Sequence, residues 1–229
     1  MIGMIGAMAT ETALLSAAMT EKKEEIISGI TYISGVLDGQ AAVVATCGPG
    51  KVNAAVCAQT MVLRYAPALL VNTGVAGTLT AELGIGDVAV ANAFVQHDVD
   101  TTALGDAPGY VSGIGCVRFA VEETLAARIA ACVREQGRRA VSGCVATGDQ
   151  FIDSDARRAW IVGQFGAIAC DMEGGAIAQV AALARVPFVA LRAISDSADG
   201  AAVTDYPRFV AESAAFSARV LRSFLLTLS

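Results

Sequence analysis

Carboxylates and an arginine at the ends of apolar segments give the sequence its clearest opportunity for chemistry. Glu11 follows a short apolar stretch near the start of the chain, and Glu173 opens a segment of small and apolar residues. Arg192 interrupts the apolar run at residues 188–194, and Asp196 follows shortly after that run. The sequence places no cysteine–histidine pair, activated serine or metal-binding set beside them, so the chemistry has to run on carboxylates.

Cleavage of a glycosidic bond is a reaction that two carboxylates can carry. One carboxylate activates water, and the other protonates the leaving group. The protonating acid needs a raised pKa, which a carboxyl beside an apolar strand can acquire by desolvation. Glu173, at a helix N-terminus, is expected to stay ionised and to accept hydrogen bonds from vicinal hydroxyls. The alternative interpretation is that these charges are ordinary helix caps and a buried ion pair.

Alternating strands and helices must position these charges. A continuous apolar run such as residues 188–194 is typical of a strand that is buried on both faces. A charge inside such a strand is costly unless it is paired. Short connections without repeats or linkers favour one α/β domain at residues 1–229, in which helices flank a central mixed β-sheet.

The predicted elements place several polar segments at strand ends. We expect residues 6–11, 72–77, 147–152 and 192–196 to converge on one rim of the sheet, where α/β folds bind ligands. We predict strands at residues 2–8, 30–37, 40–46, 68–72, 88–95, 141–147 and 188–194, and a loop at 104–116. We predict helices at residues 52–65, 119–136, 174–183 and 209–226. Two further helices are predicted to begin near residues 9–12 and 148–153.

Composition excludes several classes of protein. Hydrophobic residues make up 55% of the chain and charged ones 17%, so we expect a second copy to cover the excess apolar surface. A net charge of −6 without a basic block argues against nucleic acid as a partner. Six cysteines without a C-x-x-C pair, with a single histidine, argue against a disulfide framework and against metal ligation. Without a transmembrane run or signal peptide, we expect a cytoplasmic protein that does not bind membranes.

Several short motifs, taken in order and spacing, resemble one known family. They are I-G-A-M at residues 5–8 with Glu11 after it, G-K-V-N-A-A at 50–55, N-T-G-x-A-G at 72–77, H-D-x-D at 97–100, G-D-x-F-I at 148–152, D-M-E-G at 171–174 and R-A-I-S-D at 192–196. Each motif alone is weak. Together they cover nearly the whole chain, which resembles the bacterial 5'-methylthioadenosine/S-adenosylhomocysteine nucleosidases of the nucleoside phosphorylase superfamily.

The resemblance implies a homodimer of nucleoside phosphorylase-like subunits, without a cofactor. Such an enzyme hydrolyses the N-glycosidic bond of methylthioadenosine, adenosylhomocysteine and 5'-deoxyadenosine, and it releases adenine in methionine salvage. The resemblance makes Glu11 the acid that activates water and Asp196 the acid that protonates adenine at N7. It also implies that Glu173 and the main chain of Met172 bind the ribose hydroxyls, and that Phe151 lies against the base with the backbone of Ile152 at its edge. Gly77, Arg192 and Ser195 would line the site, and Tyr206 would be an aromatic residue of the pocket. A partner subunit would lend loop 101–112 to the 5' pocket.

Some positions depart from the family pattern. Val75 stands where a serine is common, and Thr78 stands where a glycine is. Pro49 replaces an aliphatic residue, and Leu104 replaces a frequent phenylalanine in the partner's loop. Asp171 stands where members have glutamate or aspartate. These departures bear on the preferred 5' substituent rather than on the reaction, because no catalytic carboxylate is lost.

Three other functions stay open at the level of sequence. A purine nucleoside phosphorylase would need cationic or N–H contacts for phosphate, whereas Glu11 repels an anion and suits water. A futalosine-type hydrolase shares the carboxylates but acts on a different base. A nucleoside-binding sensor without catalysis would not require Glu11, Glu173 and Asp196 together.

Overall fold

The computed structural model describes residues 1–196 and 206–228, apart from the side chains of Asp196, Tyr206 and Pro207. The strands are β1 (Ile2–Gly6), β2 (Thr20–Ile27), β3 (Ile30–Leu37), β4 (Gln40–Thr46), β5 (Leu69–Thr78), β6 (Val88–Gln96), β7 (Arg118–Ala120), β8 (Ala140–Thr147), β9 (Ala167–Asp171) and β10 (Phe188–Asp196). The α-helices are α1 (Ala9–Ala18), α2 (Lys51–Tyr65), α3 (Glu123–Glu135), α4 (Asp155–Phe165), α5 (Gly174–Ala184) and α6 (Tyr206–Leu226), and Thr102–Leu104 forms a short 3₁₀ helix.

Within the described residues, these strands form one mixed sheet in the order β10-β6-β8-β9-β5-β1-β4-β3-β2, with β7 beside β6. Strand β5 also pairs with β10, so that β5, β9, β8, β6 and β10 close into a ring. The pairs β4–β1, β1–β5 and β5–β10 are parallel, whereas β10–β6, β3–β4 and β5–β9 are antiparallel. The predicted single α/β domain with a mixed sheet is confirmed.

The ring gathers strand ends at one rim. The end of β5 pairs with β9 through Gly77 and Cys170, and the end of β8 pairs with β9 through Thr147 and Asp171. The backbone of Asp196, at the end of β10, is the register partner of Gly77. Because β1 also runs parallel to β5, its carboxyl end points to the same rim. The predicted convergence of strand ends is confirmed.

Strand β10 forms the centre of the core. Each residue from 188 to 194 is at most 3% exposed, including Arg192. Helices cover the sheet, with α2 packed on α5, and α6 packed on α1, α3 and β10. The prediction of a strand buried on both faces is confirmed, and its two neighbours run in opposite directions. Along the described ranges, we find no helix with the length and apolarity that crossing a bilayer requires.

Three strands escaped the sequence prediction, namely β2, β7 and β9. Strand β2 reads T-E-K-K-E-E-I-I, and its first five residues are exposed, so it has no apolar pattern. It pairs only with β3 in the described sheet, as a charged edge strand that resists pairing with other chains. Strand β9 has only five residues, A-I-A-C-D, and a run this short cannot be told from a loop by periodicity.

Two predicted boundaries were wrong by four residues or more. The helix predicted at residues 119–136 starts at Glu123, because the Glu122 carboxylate accepts a hydrogen bond of 2.7 Å from the N–H of Leu125. The residues before that cap form β7 instead. Strand β5 was predicted to end at Asn72, yet it continues to Thr78 because its glycine-rich half pairs with β10.

Candidate active site

A cavity of about 150 Å³ opens at the rim where the strand ends meet. The carboxylates of Glu11 and Glu173 lie in its lining, with apolar walls between them. The structure thus brings together most of the residues that the sequence predicts for the site. Those that line the cavity are Glu11, Gly77, Phe151, Ile152, Met172, Glu173 and Ser195.

Glu11 lies in the first turn of α1, where its carboxylate faces the end of β5. Its Oε2 accepts hydrogen bonds from the N–H groups of Ala7, at 2.7 Å, and Met8, at 2.9 Å. Its Oε1 accepts a third, of 3.1 Å, from the N–H of Val75. A Cβ at Gly74 would lie 2.9 Å from Oε1, so only glycine at that position leaves room for the carboxylate. The main chain therefore fixes Glu11 in place.

Burial makes the carboxylate of Glu11 a better proton acceptor. The residue is 3% exposed, and desolvation raises the pKa of its carboxyl above the ordinary value. The hydrogen bond from Met8 and the positive charge of Arg192 oppose that rise. A carboxylate with a raised pKa takes a proton from water more readily than an exposed glutamate does. Glu11 has the position and the basicity that a general base requires.

Glu173 is the N-cap residue of α5 and also lines the cavity. Its Oε1 accepts a hydrogen bond of 2.8 Å from the N–H of Gly50, and the residue is 7% exposed. Burial, reinforced by the negative charge of Asp171, raises the pKa of Glu173 to about 7. Burial therefore opposes the ionised form that the sequence predicts for Glu173, whereas the charge of Arg192 and the N–H of Gly50 favour it.

Asp171, which lines the cavity, forms a buried ion pair with Arg192. The Nη2 and Nε atoms of Arg192 lie 2.6 and 2.8 Å from Oδ2 of Asp171, and both side chains are 1% exposed. Arg192 also donates to the side chain of Asn72, and the hydroxyl of Thr147 donates to Asp171. Arg192 is not in the described lining of the cavity, but its charge still acts on Glu11. The interpretation as a buried ion pair holds for these two residues.

The wall between the carboxylates is apolar and partly open. Phe151 is 62% exposed at the mouth, and Ile152 is buried behind it. A large exposed aromatic side chain at the mouth of a cavity offers a flat surface for an aromatic ligand. The arrangement suits a small molecule with a polar part between the carboxylates and a flat part against Phe151.

Two predicted site residues have side chains outside the described residues. They are Asp196 and Tyr206. The backbone of Asp196 ends β10 directly after Ser195, which lines the cavity. The predicted partner loop at residues 101–112 carries the exposed 3₁₀ turn and does not line the cavity of its own chain, as the described residues have it.

Other lining residues received no role from the sequence. They are Ala7, Met8, Ala76, Gln150 and Cys170, and each lies beside or inside one of the recognised motifs. Their position next to Glu11, Gly77, Phe151 and Asp171 was therefore a signal that could have identified them. Among the described residues, no group of three or more histidine, cysteine, aspartate or glutamate side chains is arranged to hold a metal ion.

Comparison with known proteins gives matches that span nearly the whole chain. The family model of the phosphorylase superfamily matches residues 1–226. A 5'-methylthioadenosine/S-adenosylhomocysteine nucleosidase of Shewanella loihica is 36% identical over 226 residues, which are 98% of each chain.

Solved structures show the same similarity. The nucleosidase of that name from Neisseria meningitidis, in complex with methylthio-immucillin-A, matches with a TM-score of 0.94 and 35% identity over 99% of this chain and 98% of its own. Futalosine hydrolase of Helicobacter pylori matches with a TM-score of 0.93 and 33% identity over 99% and 97% of the two chains. Both structures are similar to this chain throughout their length.

Proposed function

The chain belongs to the phosphorylase superfamily and, within it, to the 5'-methylthioadenosine/S-adenosylhomocysteine nucleosidases, and from this membership we propose that it hydrolyses the N-glycosidic bond of these two nucleosides. The products are adenine and the 5'-substituted ribose, and 5'-deoxyadenosine is a further substrate. One observation carries the proposal. The buried carboxylate of Glu11 faces the cavity with a raised pKa, where it can take a proton from water.

The proposed reaction uses carboxylates at both ends of the scissile bond. Water attacks the anomeric carbon as Glu11 takes one of its protons, and the bond to the adenine nitrogen breaks. Asp196 supplies a proton to N7 of adenine, so that the base leaves neutral. Glu173 and the main chain of Met172 hold the ribose hydroxyls.

The rest of the cavity orients the substrate in this proposal. Phe151 lies against the adenine ring, and the backbone of Ile152 binds its edge. Gly77 and Ser195 line the base pocket, and Tyr206 contributes an aromatic side chain. Arg192, from behind the lining, stabilises the carboxylates through its charge. Residues 1–229 act as one domain.

Glu11 also separates hydrolysis from phosphorolysis. A phosphate nucleophile needs a cation or free N–H groups beside the sugar. The N–H groups of Ala7, Met8 and Val75 instead donate to Glu11, whose charge would repel an oxyanion. Futalosine is the substrate to compare directly with methylthioadenosine, because a hydrolase of that name has the same fold.

Catalysis should require neither metal nor phosphate. We expect adenine release from 5'-methylthioadenosine in phosphate-free buffer, at a rate that a chelator does not change. Added phosphate should yield no 5-methylthioribose 1-phosphate, because Glu11 occupies the nucleophile's side of the cavity. The measurement is chromatography of the products, with a purine nucleoside phosphorylase and its own nucleoside substrate as the control that must form a sugar 1-phosphate. Loss of activity on chelation, or formation of 5-methylthioribose 1-phosphate, would contradict hydrolysis by carboxylates alone.

We further propose a cytoplasmic homodimer that serves methionine salvage. The exposed side chains include apolar ones that water does not favour, among them Val52 at 73%, Leu63 at 77% and Leu104 at 84% exposure. The cavity is also open beside Phe151. Loop 101–112 of a second copy, which carries Leu104, would close the 5' end of the pocket and bury these groups.

Mixing two defective variants tests this loop exchange. Glu11→Gln removes the base from its own site, and Leu104→Glu alters only the loop that its partner receives. A hybrid dimer then keeps one site with both an intact base and an intact loop. With random pairing, about half of the dimers are hybrids, and each hybrid has one intact site of its two. The mixture should therefore show about a quarter of the wild-type activity when it is measured at substrate concentrations below KM.

Leu104→Glu should not destabilise the fold, because Leu104 is exposed and its replacement removes no core contact. Sedimentation of the wild type should show a dimer at assay concentrations. No gain of activity on co-expression of the two variants, or a fully active monomer, would contradict the exchange of loops. Each variant expressed alone sets the baseline.

A further inference from the structure

Three polar residues outside the cavity lining form a closed ring of hydrogen bonds, which we call the clasp. The ammonium group of Lys51 lies 2.6 Å from Oδ1 of Asp98. The other oxygen of Asp98 accepts a bond of 2.9 Å from the N–H of Asp149. The carboxylate of Asp149 accepts a bond of 2.7 Å from the N–H of Lys51. Each member thus contacts the other two.

The clasp joins the two turns that flank the mouth of the cavity. On one side, Lys51 follows Pro49 and Gly50, and Pro49 lines the cavity. On the other side, Asp149 precedes Gln150 and Phe151, which also line it. A change in the clasp therefore changes the distance between these two walls.

The turn that contains Gly50 also holds the carboxylate of Glu173 in place. The N–H of Gly50 donates to Oε1 of Glu173, and Gly50 has a φ of 98°, a conformation that glycine adopts without strain. A Cβ at Gly50 would lie 3.1 Å from Oδ1 of Asp149, so the two turns approach closely here. The position of Glu173 thus depends on the turn that Lys51 anchors.

Charge and burial make the clasp stronger than a surface ion pair. The side chains of Lys51 and Asp98 are only 17% and 15% exposed. The ammonium group also lies 3.2 Å from the side-chain oxygen of Gln96. Lys51 is the first residue of α2, where a positive charge opposes the helix macrodipole, so the helix itself gains nothing from it. Its stabilising contacts are those across the mouth of the cavity.

We propose that Lys51 and Asp98 are positioning residues, which set the spacing between Glu173 and the aromatic wall at Phe151 so that a nucleoside fits between them. The proposal rests on the proposed nucleosidase function. It assigns to the G-K and H-D segments a role in substrate binding that is separate from the chemistry of Glu11. Their effect should appear in KM, since the clasp touches neither the attacking water nor the leaving group.

Asp98→Asn tests the clasp against a closely matched control. We expect KM for 5'-methylthioadenosine to rise about tenfold and kcat to change less than about threefold, the pattern of lost uniform binding. The control is Asp38→Asn, because Asp38 also forms an ion pair, with Arg222 at 2.6 Å, and its side chain is 14% exposed. Asp38 is remote from the cavity lining, so its variant should keep the wild-type KM.

Variants of Lys51 separate positioning from general stability. Lys51→Met removes the charge and should raise KM as Asp98→Asn does, and Lys51→Arg should recover much of the loss. The double variant Asp98→Asn with Lys51→Met should be no worse than either single variant, because the same clasp is broken. Additive losses, or a lower melting temperature with an unchanged KM, would overturn the proposal.

Hydrogen exchange gives a readout that does not depend on the reaction. Amide exchange at residues 50–51 and 149–152 should speed up in Asp98→Asn and stay at the wild-type rate in Asp38→Asn. Unchanged exchange in both variants would overturn the clasp even if the enzyme is active. A wild-type protein that releases no adenine would overturn the proposed function instead, and faster exchange in Asp98→Asn would then still support the clasp.

Discussion

Glu11→Gln should lower the turnover of 5'-methylthioadenosine by at least ~10²–10⁴-fold, the usual contribution of a general base, while the substrate still binds. A glutamine keeps the shape of the side chain but cannot take a proton from water. The remaining cavity walls, including Glu173 and Phe151, are unchanged. Single-turnover kinetics and equilibrium binding measure the two effects separately.

The hydrogen bonds of Glu11 predict a modest secondary cost in this variant. Three N–H groups donate to its two oxygens, from Ala7, Met8 and Val75. An amide must turn its NH₂ group toward at least one of them and so loses a contact. We therefore expect a small fall in thermal stability beside the large fall in kcat.

A carboxylate-to-amide change elsewhere provides the control. Glu135 lies at the exposed end of α3, remote from the cavity, and Glu135→Gln should keep normal kinetics. If Glu11→Gln also retained near-normal turnover, Glu11 would be only an acid in the first turn of a helix. The proposed mechanism would then lose its base.

The sequence predicted the fold best where burial leaves a periodic or continuous pattern. The run that became β10 is apolar over its whole length except at Arg192, and a charge there required a buried partner. The structure supplies Asp171 as that partner. The charged strand β2 carries no such pattern, because its stability comes from pairing with β3 rather than from burial.

Most residues of the site could be predicted from the sequence. The pKa values of its carboxyls and the contacts that hold its walls in place could not. Glu173 was expected to be ionised from its place at a helix N-terminus, yet burial beside Asp171 raises its pKa to about 7. Local sequence does not reveal how much water a tertiary structure removes. The clasp was likewise invisible, because Lys51, Asp98 and Asp149 are separated by 47 and 51 residues and meet only in the folded chain.

Asp196→Asn should give the second large effect, and its size should depend on the leaving group. The backbone of Asp196 ends β10 beside Gly77, directly after the buried Ser195, and its side chain lies outside the described residues. Adenine leaves poorly as an anion, so a proton delivered to N7 should lower the barrier strongly. Asparagine can donate a hydrogen bond but cannot transfer that proton. We expect adenine release from 5'-methylthioadenosine to fall at least ~10²-fold, as for the loss of a general acid.

A second substrate turns this loss into a test of mechanism. A 5'-methylthioriboside with para-nitrophenolate as the leaving group needs no proton, so Asp196→Asn should slow its hydrolysis far less. Asp155→Asn is the control, since that carboxyl is 90% exposed at the start of α4. Equal slowing of both substrates would mean that Asp196 positions the base rather than protonates it. If neither substrate were slowed, the acid would have to be another group, because a neutral leaving base requires a proton from somewhere in the cavity.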